Sequence, residues 1–212
     1  MVIRLGLARG PEETLSRSIR KAGWEPVFWG VTELRPAHSK VPFSPARAAI
    51  VLSPAGAKAA RLPVGIPCLV TGDATGKAIQ GHEVTVSPEP RAEGLWAMLR
   101  SRYPEGGDFL LVRGERTRGF LEEVAEGSPW RLHPWITHQE AALDPVPARP
   151  ELDAVLALSP LQAEVMAALT QDVLRFAWGE RTGMAFEAAG TPAHAVCEPT
   201  TEALGRILAS YL

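Results

Sequence analysis

Ala48-Ala49-Ile50-Val51-Leu52-Ser53-Pro54 and, 106 residues later, Ala154-Val155-Leu156-Ala157-Leu158-Ser159-Pro160 follow one pattern: five apolar residues, then serine, then proline. The match continues downstream. Gly72-Asp73-Ala74-Thr75-Gly76 returns as Gly179-Glu180-Arg181-Thr182-Gly183, and Pro90 with Glu93 and Leu95 returns as Pro199 with Glu202 and Leu204, at offsets of 107 and 109. Upstream, Arg9-Gly10 answers Arg113-Gly114, and residues 29–32 answer 135–138, each run opening on tryptophan. Small insertions bring the two halves into register over some fifty positions. A supersecondary unit present twice predicts two similar lobes, with a ligand expected in the cleft between them.

Around these blocks, short apolar runs alternate with amphipathic stretches, the mark of β-α units and largely parallel sheets. Residues 2–8 are predicted as a strand, 12–22 as a helix closed by Gly23, and 25–31 as a second strand. Further strands are predicted at 48–52, 68–71, 109–112, 131–137, 154–158 and 174–177, with a closing helix at 202–211. Two segments break the rhythm: 35–40, around Pro36, and 144–150, which holds Pro145, Pro147 and Pro150. The predicted fold class is therefore α/β, with two similar lobes, each a mostly parallel sheet flanked by helices, joined by a two-stranded connector with the active-site cleft between them. Lobe one takes 1–34 plus 142–212, lobe two takes 37–136, and 35–40 and 137–150 connect them. Two crossings predict a hinge that permits closure. A simple tandem split near residue 105 is the alternative.

Composition narrows the class. The 212 residues are 46% apolar and 22% charged, ordinary for a globular protein with a core in each lobe. Net charge is −2, without the basic surplus of a nucleic-acid binder. Cys68 and Cys197 lie in separate apolar runs and read as buried free thiols of a reducing compartment, a disulfide being the other reading. No apolar run reaches 18 residues, and the first residues enter a strand pattern without a signal-peptide layout, so no membrane contact is expected and a cytoplasmic monomer is. Arginine outnumbers lysine 18 to 4 and asparagine is absent, a composition that fits either heat adaptation or genomic base bias.

The chemistry expected from the repeats is anion binding. Serine is a favoured N-cap and proline suits the first helical position, so each Ser-Pro places a helix start at the carboxyl end of a strand. Ser53, Pro54 and Ala55 form one such start and Ser159 and Pro160 the other. Gly72 with Thr75, and Gly179 with Thr182, repeat the device after the next strand: glycine lets a ligand approach the backbone and threonine offers a hydroxyl. Free N–H groups and the positive dipole end make each a site for a carboxylate. Arg9 and Arg113, each closing an apolar strand before Gly10 and Gly114, are placed to fork onto carboxylates at the same crevice. Four helix starts call for a ligand with many carboxylates. His133 and His138, five apart on a strand, fall on opposite faces and make no metal pair, and His138 reads as a surface or linker histidine.

This order of motifs, ending in Pro199-Thr200-Thr201-Glu202-Ala203-Leu204, resembles the uroporphyrinogen-III synthase family over nearly the whole chain. The resemblance implies two α/β lobes on a two-stranded connector. It also implies a tetrapyrrole substrate, hydroxymethylbilane, with eight carboxylates, which loses its terminal hydroxyl as water while the last pyrrole ring is inverted and the macrocycle closes. No metal or organic cofactor is implied. The family usually carries a tyrosine near the end of the strand before the second connector as a candidate acid. Thr137 stands at the best-aligned position here and inherits the catalytic expectation, with His138 or a bound water as the other substitutes for the absent tyrosine. Two other readings are a degenerate homologue that binds the tetrapyrrole without turning it over, and a two-lobed small-anion receptor.

Overall fold

The structure, a computed structural model, describes residues 2–8, 13–37, 39–43, 45–117 and 119–212. In chain order its elements are β1 (Ile3–Leu7), α1 (Glu13–Lys21), β2 (Trp24–Phe28), β3 (Thr32–Pro36), β4 (Ala48–Val51), α2 (Pro54–Ala59), β5 (Cys68–Val70), α3 (Asp73–Lys77), β6 (Val84–Val86), α4 (Ala92–Arg102), β7 (Gly107–Gly114), α5 (Phe120–Ala125), β8 (Trp130–Ala142), β9 (Ala154–Ala157), α6 (Pro160–Ala167), β10 (Leu174–Trp178), α7 (Glu180–Ala188), β11 (Ala195–Cys197) and α8 (Thr201–Ala209). The chain divides into two units: residues 1–33 with 141–212 form unit 1, and residues 34–140 form unit 2.

Unit 1 holds a parallel sheet in the order β11-β10-β9-β1-β2. Its central strand β9 is buried at all four residues, as a parallel strand covered on both faces must be. One face carries α1 and α8 over Leu5, Leu7, Leu15, Ile19, Trp24, Phe176 and Leu204. The other carries α6 and α7 over Trp29, Val31, Val155, Met166 and Phe186. At about 1.5–3 kcal/mol for each large apolar side chain taken out of water, these two layers hold the helices to the sheet.

Unit 2 repeats the plan. Its sheet runs β3-β8-β7-β4-β5-β6, so β8-β7-β4-β5-β6 matches β2-β1-β9-β10-β11 strand for strand. β4 is buried at all four residues, like β9. Its two faces carry α2 and α3 over Val51, Cys68, Leu110, Val112 and Trp135, and α4 and α5 over Ile50, Leu95, Leu99, Phe109 and Leu121. The duplication read from the sequence is thus a duplication of topology. In unit 1 the β1-α1-β2 piece comes first in the chain, whereas in unit 2 its counterpart β7-α5-β8 comes last.

Three sequence expectations change. The break expected at 35–40 begins inside a strand, because β3 runs to Pro36. It lies at the sheet's outer edge beside β8, the place where a strand tolerates proline, and Ala37 N–H still donates to the Thr137 carbonyl (2.9 Å). The strand expected at 131–137 extends to Ala142. Finally, the pairing of β7 with β8 slips between Arg113 and Gly114: Ile136 faces Arg113 while His138 faces Gly114, so Thr137 is the extra residue of a bulge. His133 pairs with Leu110, four residues before Gly114. The bulge therefore cancels the parity that was expected to set His133 and His138 on opposite faces. Both cysteines are buried and free, and burial pushes the Cys68 thiol up to about 11.

Candidate functional site

In each unit the sheet has one point where successive helices leave for opposite faces. In unit 2 it lies between β4, followed by α2 on one face, and β7, followed by α5 on the other. In unit 1 it lies between β9, followed by α6, and β1, followed by α1. The carboxyl ends of strands at such a reversal form the usual crevice for ligands in an open α/β sheet. Ser53, Pro54, Ala55, Arg113 and Gly114 fall at the first place and Ser159 and Pro160 at the second, while Gly72 with Thr75 and Gly179 with Thr182 follow the next strands, β5 and β10.

The Ser-Pro helix starts form as expected and closely match each other. Ser53 caps α2 by accepting from Gly56 N–H at 3.1 Å, and Ser159 caps α6 by accepting from Gln162 N–H at 3.3 Å. Both serines are extended, and Pro54 and Pro160 occupy the first turn. The supply of amides is smaller than a bare helix end would give. Proline brings no N–H, serine takes the third, and Ala57 and Ala163 N–H bond back to the serine carbonyls at 3.0 and 3.1 Å. What each start leaves for a ligand is one amide, on Ala55 and on Leu161. Neither helix carries an acid in its first turn, so the positive end of each dipole is uncompensated.

The glycine starts differ. Gly72 caps α3 in extended backbone, and Gly179 caps α7 at φ 90°, a conformation that only glycine adopts without strain. Neither cap has a side chain to bond the first amides, but Asp73 and Glu180 follow at once and place a carboxylate at each helix end. The hydroxyls expected from the two threonines are spent inside their own units. Thr182, 2% exposed, donates to the Trp178 carbonyl at 3.1 Å. Thr75, 3% exposed, meets Thr71 Oγ1 at 3.4 Å, and Thr71 in turn donates to the Leu52 carbonyl at 3.2 Å. One turn into its helix, Thr182 finds the carbonyl four residues back and Thr75 the hydroxyl four residues back, and either contact turns the hydroxyl inward.

Arg9 lies outside the described residues. Arg113 is half-buried and tied to its own unit: Nε lies 2.7 Å from a Glu122 carboxylate oxygen, a close ion pair without hydrogen-bond alignment, and one terminal nitrogen donates to the carbonyls of Gly114 (2.9 Å) and Glu115 (3.0 Å). It braces the end of β7 against α5. Gly114 has a local reason to lack a side chain, because a Cβ there would stand 2.9 Å from His138 Nε2.

Thr137 is 4% exposed. Its Oγ1 lies 3.1 Å from His138 Nδ1 and 3.4 Å from the Arg113 carbonyl. An aliphatic hydroxyl holds its proton far more tightly than a phenol, so Thr137 does not stand in for a tyrosine acid. The ionisable member of the pair is His138. It is half-buried in β8, not in a linker or on the open surface, and desolvation holds its pKa below the ordinary histidine value. Unit 2 thus gathers Ser53, Gly56, Arg113, Gly114, Thr137 and His138 at one strand-end cluster, with Gly72 and Thr75 adjoining through Thr71. Unit 1 gathers Ser159, Gln162 and Thr32, with Gly179 just past the end of the next strand and Thr182 in α7.

One residue escaped the sequence reading. Gln162 is 2% exposed, its Oε1 accepting from Leu158 N–H at 2.8 Å and its Nε2 lying 3.3 Å from Thr32 Oγ1. Its only signal was its place three residues after Ser159, where the other copy has Gly56. His138 was weighed in the sequence, but the bulge concealed its strand position. A surface hollow lined by Ala97, Arg100, Ser101 and Trp130 shares no residue with either cluster. Among the described residues no group of three or more acidic, histidine or cysteine side chains is placed to hold a metal ion, and no helix is long and apolar enough to cross a membrane.

A duplicated, doubly wound α/β plan with Ser-Pro helix starts at matching strand ends defines the class: an α/β protein of two similar units. The family model described as uroporphyrinogen-III synthase HemD matches residues 13–205, and the chain belongs to the uroporphyrinogen-III synthase family. No curated protein sequence matches the chain. Among solved structures, it is similar to uroporphyrinogen-III synthetase from Helicobacter pylori, with a TM-score of 0.68 at 12% identity over 100% of both chains. It is also similar to a mutant uroporphyrinogen III synthase from the extremely thermophilic bacterium Thermus thermophilus, with a TM-score of 0.52 at 19% identity over 99% of this chain and 97% of that one. At such identities these likenesses establish the fold.

Proposed function

We propose that the protein is an active uroporphyrinogen-III synthase, a cyclising lyase of porphyrin and heme biosynthesis. It would take hydroxymethylbilane, expel its terminal hydroxyl as water, and close the macrocycle with the last pyrrole ring inverted. The observation that carries the reading is the family match over 13–205, which spans elements of both units. The substrate's eight carboxylates suit the helix starts, and the Ser-Pro pair suits them best: the amides of Ala55 and Leu161 face no acid in their own first turns. Gly72 and Gly179 admit the ligand's approach to the backbone, while Asp73 and Glu180 disfavour a carboxylate directly on those ends. Arg113 braces the unit-2 cluster.

The electron-rich pyrrole drives departure of the hydroxyl once a proton donor is at hand. Holding the open chain in a folded pose then decides which face of the last ring closes, so positioning matters as much as proton transfer. The test is direct. Freshly generated hydroxymethylbilane closes on its own to isomer I, and the protein should turn the product to isomer III. A product ratio identical with and without the protein refutes the reading.

A further inference from the structure

The two units correspond residue for residue at one place and differ there in chemistry. Three residues after the capping serine stands Gln162 in unit 1 and Gly56 in unit 2. Three residues after the buried tryptophans Trp29 and Trp135, whose indole N–H groups donate to Pro147 (2.9 Å) and Ser39 (3.2 Å) carbonyls, stand Thr32 and His138. In unit 1 the helix supplies the large polar group and the strand side the small one. The amide of Gln162 is engaged at both ends, by Leu158 N–H and by Thr32 Oγ1.

Unit 2 reverses the assignment. The Leu52 N–H, counterpart of Leu158, is served by the Val112 carbonyl at 3.2 Å. Gly56 leaves its space open and the imidazole of His138 takes it, with Cε1 3.8 Å from where a Gly56 Cβ would stand and Nε2 2.9 Å from where a Gly114 Cβ would stand. Only one ring nitrogen is engaged: Nδ1 lies 3.1 Å from Thr137 Oγ1, and among the described residues no hydrogen bond reaches Nε2. Nε2 is not among the fully sealed, unbonded polar side-chain atoms of the described residues, which are on Ser16, Arg113 and Thr191, and the His138 ring is only half-buried. One copy of the duplicated site is closed by its own side chain. The other holds an ionisable ring with a free nitrogen.

We propose that His138 is the catalytic acid of this protein and that Thr137 is a positioning residue that holds its Nδ1. The inference rests on the synthase reading above. The imidazolium gives its Nε2 proton to the hydroxymethyl oxygen as the C–O bond breaks, the bonding pair leaves with oxygen, and water departs. The pyrrole nitrogen's lone pair stabilises the methylene carbocation until the last ring attacks it through the carbon that already carries the chain. The older methylene–ring bond then breaks to leave a second stabilised carbocation, the ring's unsubstituted carbon closes on it with the ring now inverted, and the proton lost from that carbon returns to the neutral imidazole. Water is the only by-product, and no oxidant or reductant is needed. The charged groups on neighbouring elements are Arg113 on β7, held by Glu122 of α5, Glu115 just beyond β7, Lys58 on α2 and Glu140 on β8; none is hydrogen-bonded to the ring. Burial of His138 makes its imidazolium a stronger acid than free imidazolium and less abundant at neutral pH.

The experiment compares wild type, His138→Ala, His138→Gln and Thr137→Val for isomer III production across pH, with unfolding temperature as a check on folding. In wild type, kcat should fall as pH rises past the imidazole pKa. His138→Ala and His138→Gln should lower kcat by about 10²-fold or more with KM nearly unchanged, and the basic limb should vanish. Imidazole added to His138→Ala should enter the space beside Gly56 and Gly114 and restore part of the rate. Thr137→Val should keep the limb but move it, with a smaller loss of kcat. A folded His138→Ala protein that keeps the wild-type rate and pH limb, or one whose lost rate imidazole does not restore, overturns the proposal. A wild-type protein that yields no isomer III overturns the synthase reading instead.

Discussion

Unit 1 and unit 2 build the same strand ends from the same sheet order, yet one is knitted shut and the other left open. Gln162 closes unit 1 by bonding Leu158 N–H and Thr32 Oγ1. In unit 2 the matching amide is satisfied by backbone, and Gly56 cedes its space to His138. Duplication supplies two copies of a fold, and this exchange shows how they divide labour: a side chain that completes the scaffold in one copy is the one whose absence makes room for chemistry in the other.

The most forceful way to break the comparison is to give unit 2 the unit-1 pair. Gly56→Gln combined with His138→Thr should lower isomer III production by about 10²-fold or more while the protein stays folded, as read by product analysis and thermal melting. If the double variant stays fully active, the difference between the units has no catalytic meaning. Removing the closure in unit 1 tests the other half. Gln162→Ala leaves the half-buried Leu158 N–H without its partner and should cost about 1 kcal/mol or more in denaturant unfolding. His138→Ala should cost less, since Leu52 N–H is bonded to Val112 regardless.

Acid should also act on strands β10 and β11 of unit 1. His194 in unit 1 accepts the Arg175 N–H at its Nδ1 (3.1 Å), which requires a neutral ring. Desolvation and then the nearby Arg175 charge lower its pKa. A base whose folded pKa lies below its unfolded value stabilises the fold above the unfolded value, about 6.5, and that share is lost as pH falls through the folded pKa. Hydrogen exchange between pH 7 and 5 should therefore show β10 and β11 loosening. Unchanged exchange there would refute it. The smallest effect concerns the glycine starts: Asp73→Asn and Glu180→Gln should each lower KM about two-fold at low salt by removing an acid from a helix end, whereas an unchanged KM would leave these ends outside the binding surface.

Much of the fold was legible in the chain because its signals are local. A short apolar run ending in Ser-Pro specifies a buried parallel strand and a helix cap together, and its recurrence marked out the two-unit plan. What the sequence hid depends on register and on hydrogen-bond competition. Nothing in residues 133–138 announces the extra residue at Thr137, and with it went the parity argument about the two histidines. Thr75 and Thr182 read as donors to a ligand until their internal partners were placed. Gln162 and Gly56 sit at matching positions in plain view, but their significance lies in who fills a space, which only packing decides.

Unit 2 is drawn from one stretch of chain, while unit 1 must join Arg4 of β1 to Asp153 across 149 residues. During synthesis at the ribosome, the inserted unit can therefore finish its own sheet while β1-α1-β2 waits with an uncovered apolar edge for β9 to emerge. The unit that carries the open imidazole matures first, and the early β-α-β fragment is the part of the nascent chain most in need of protection from aggregation.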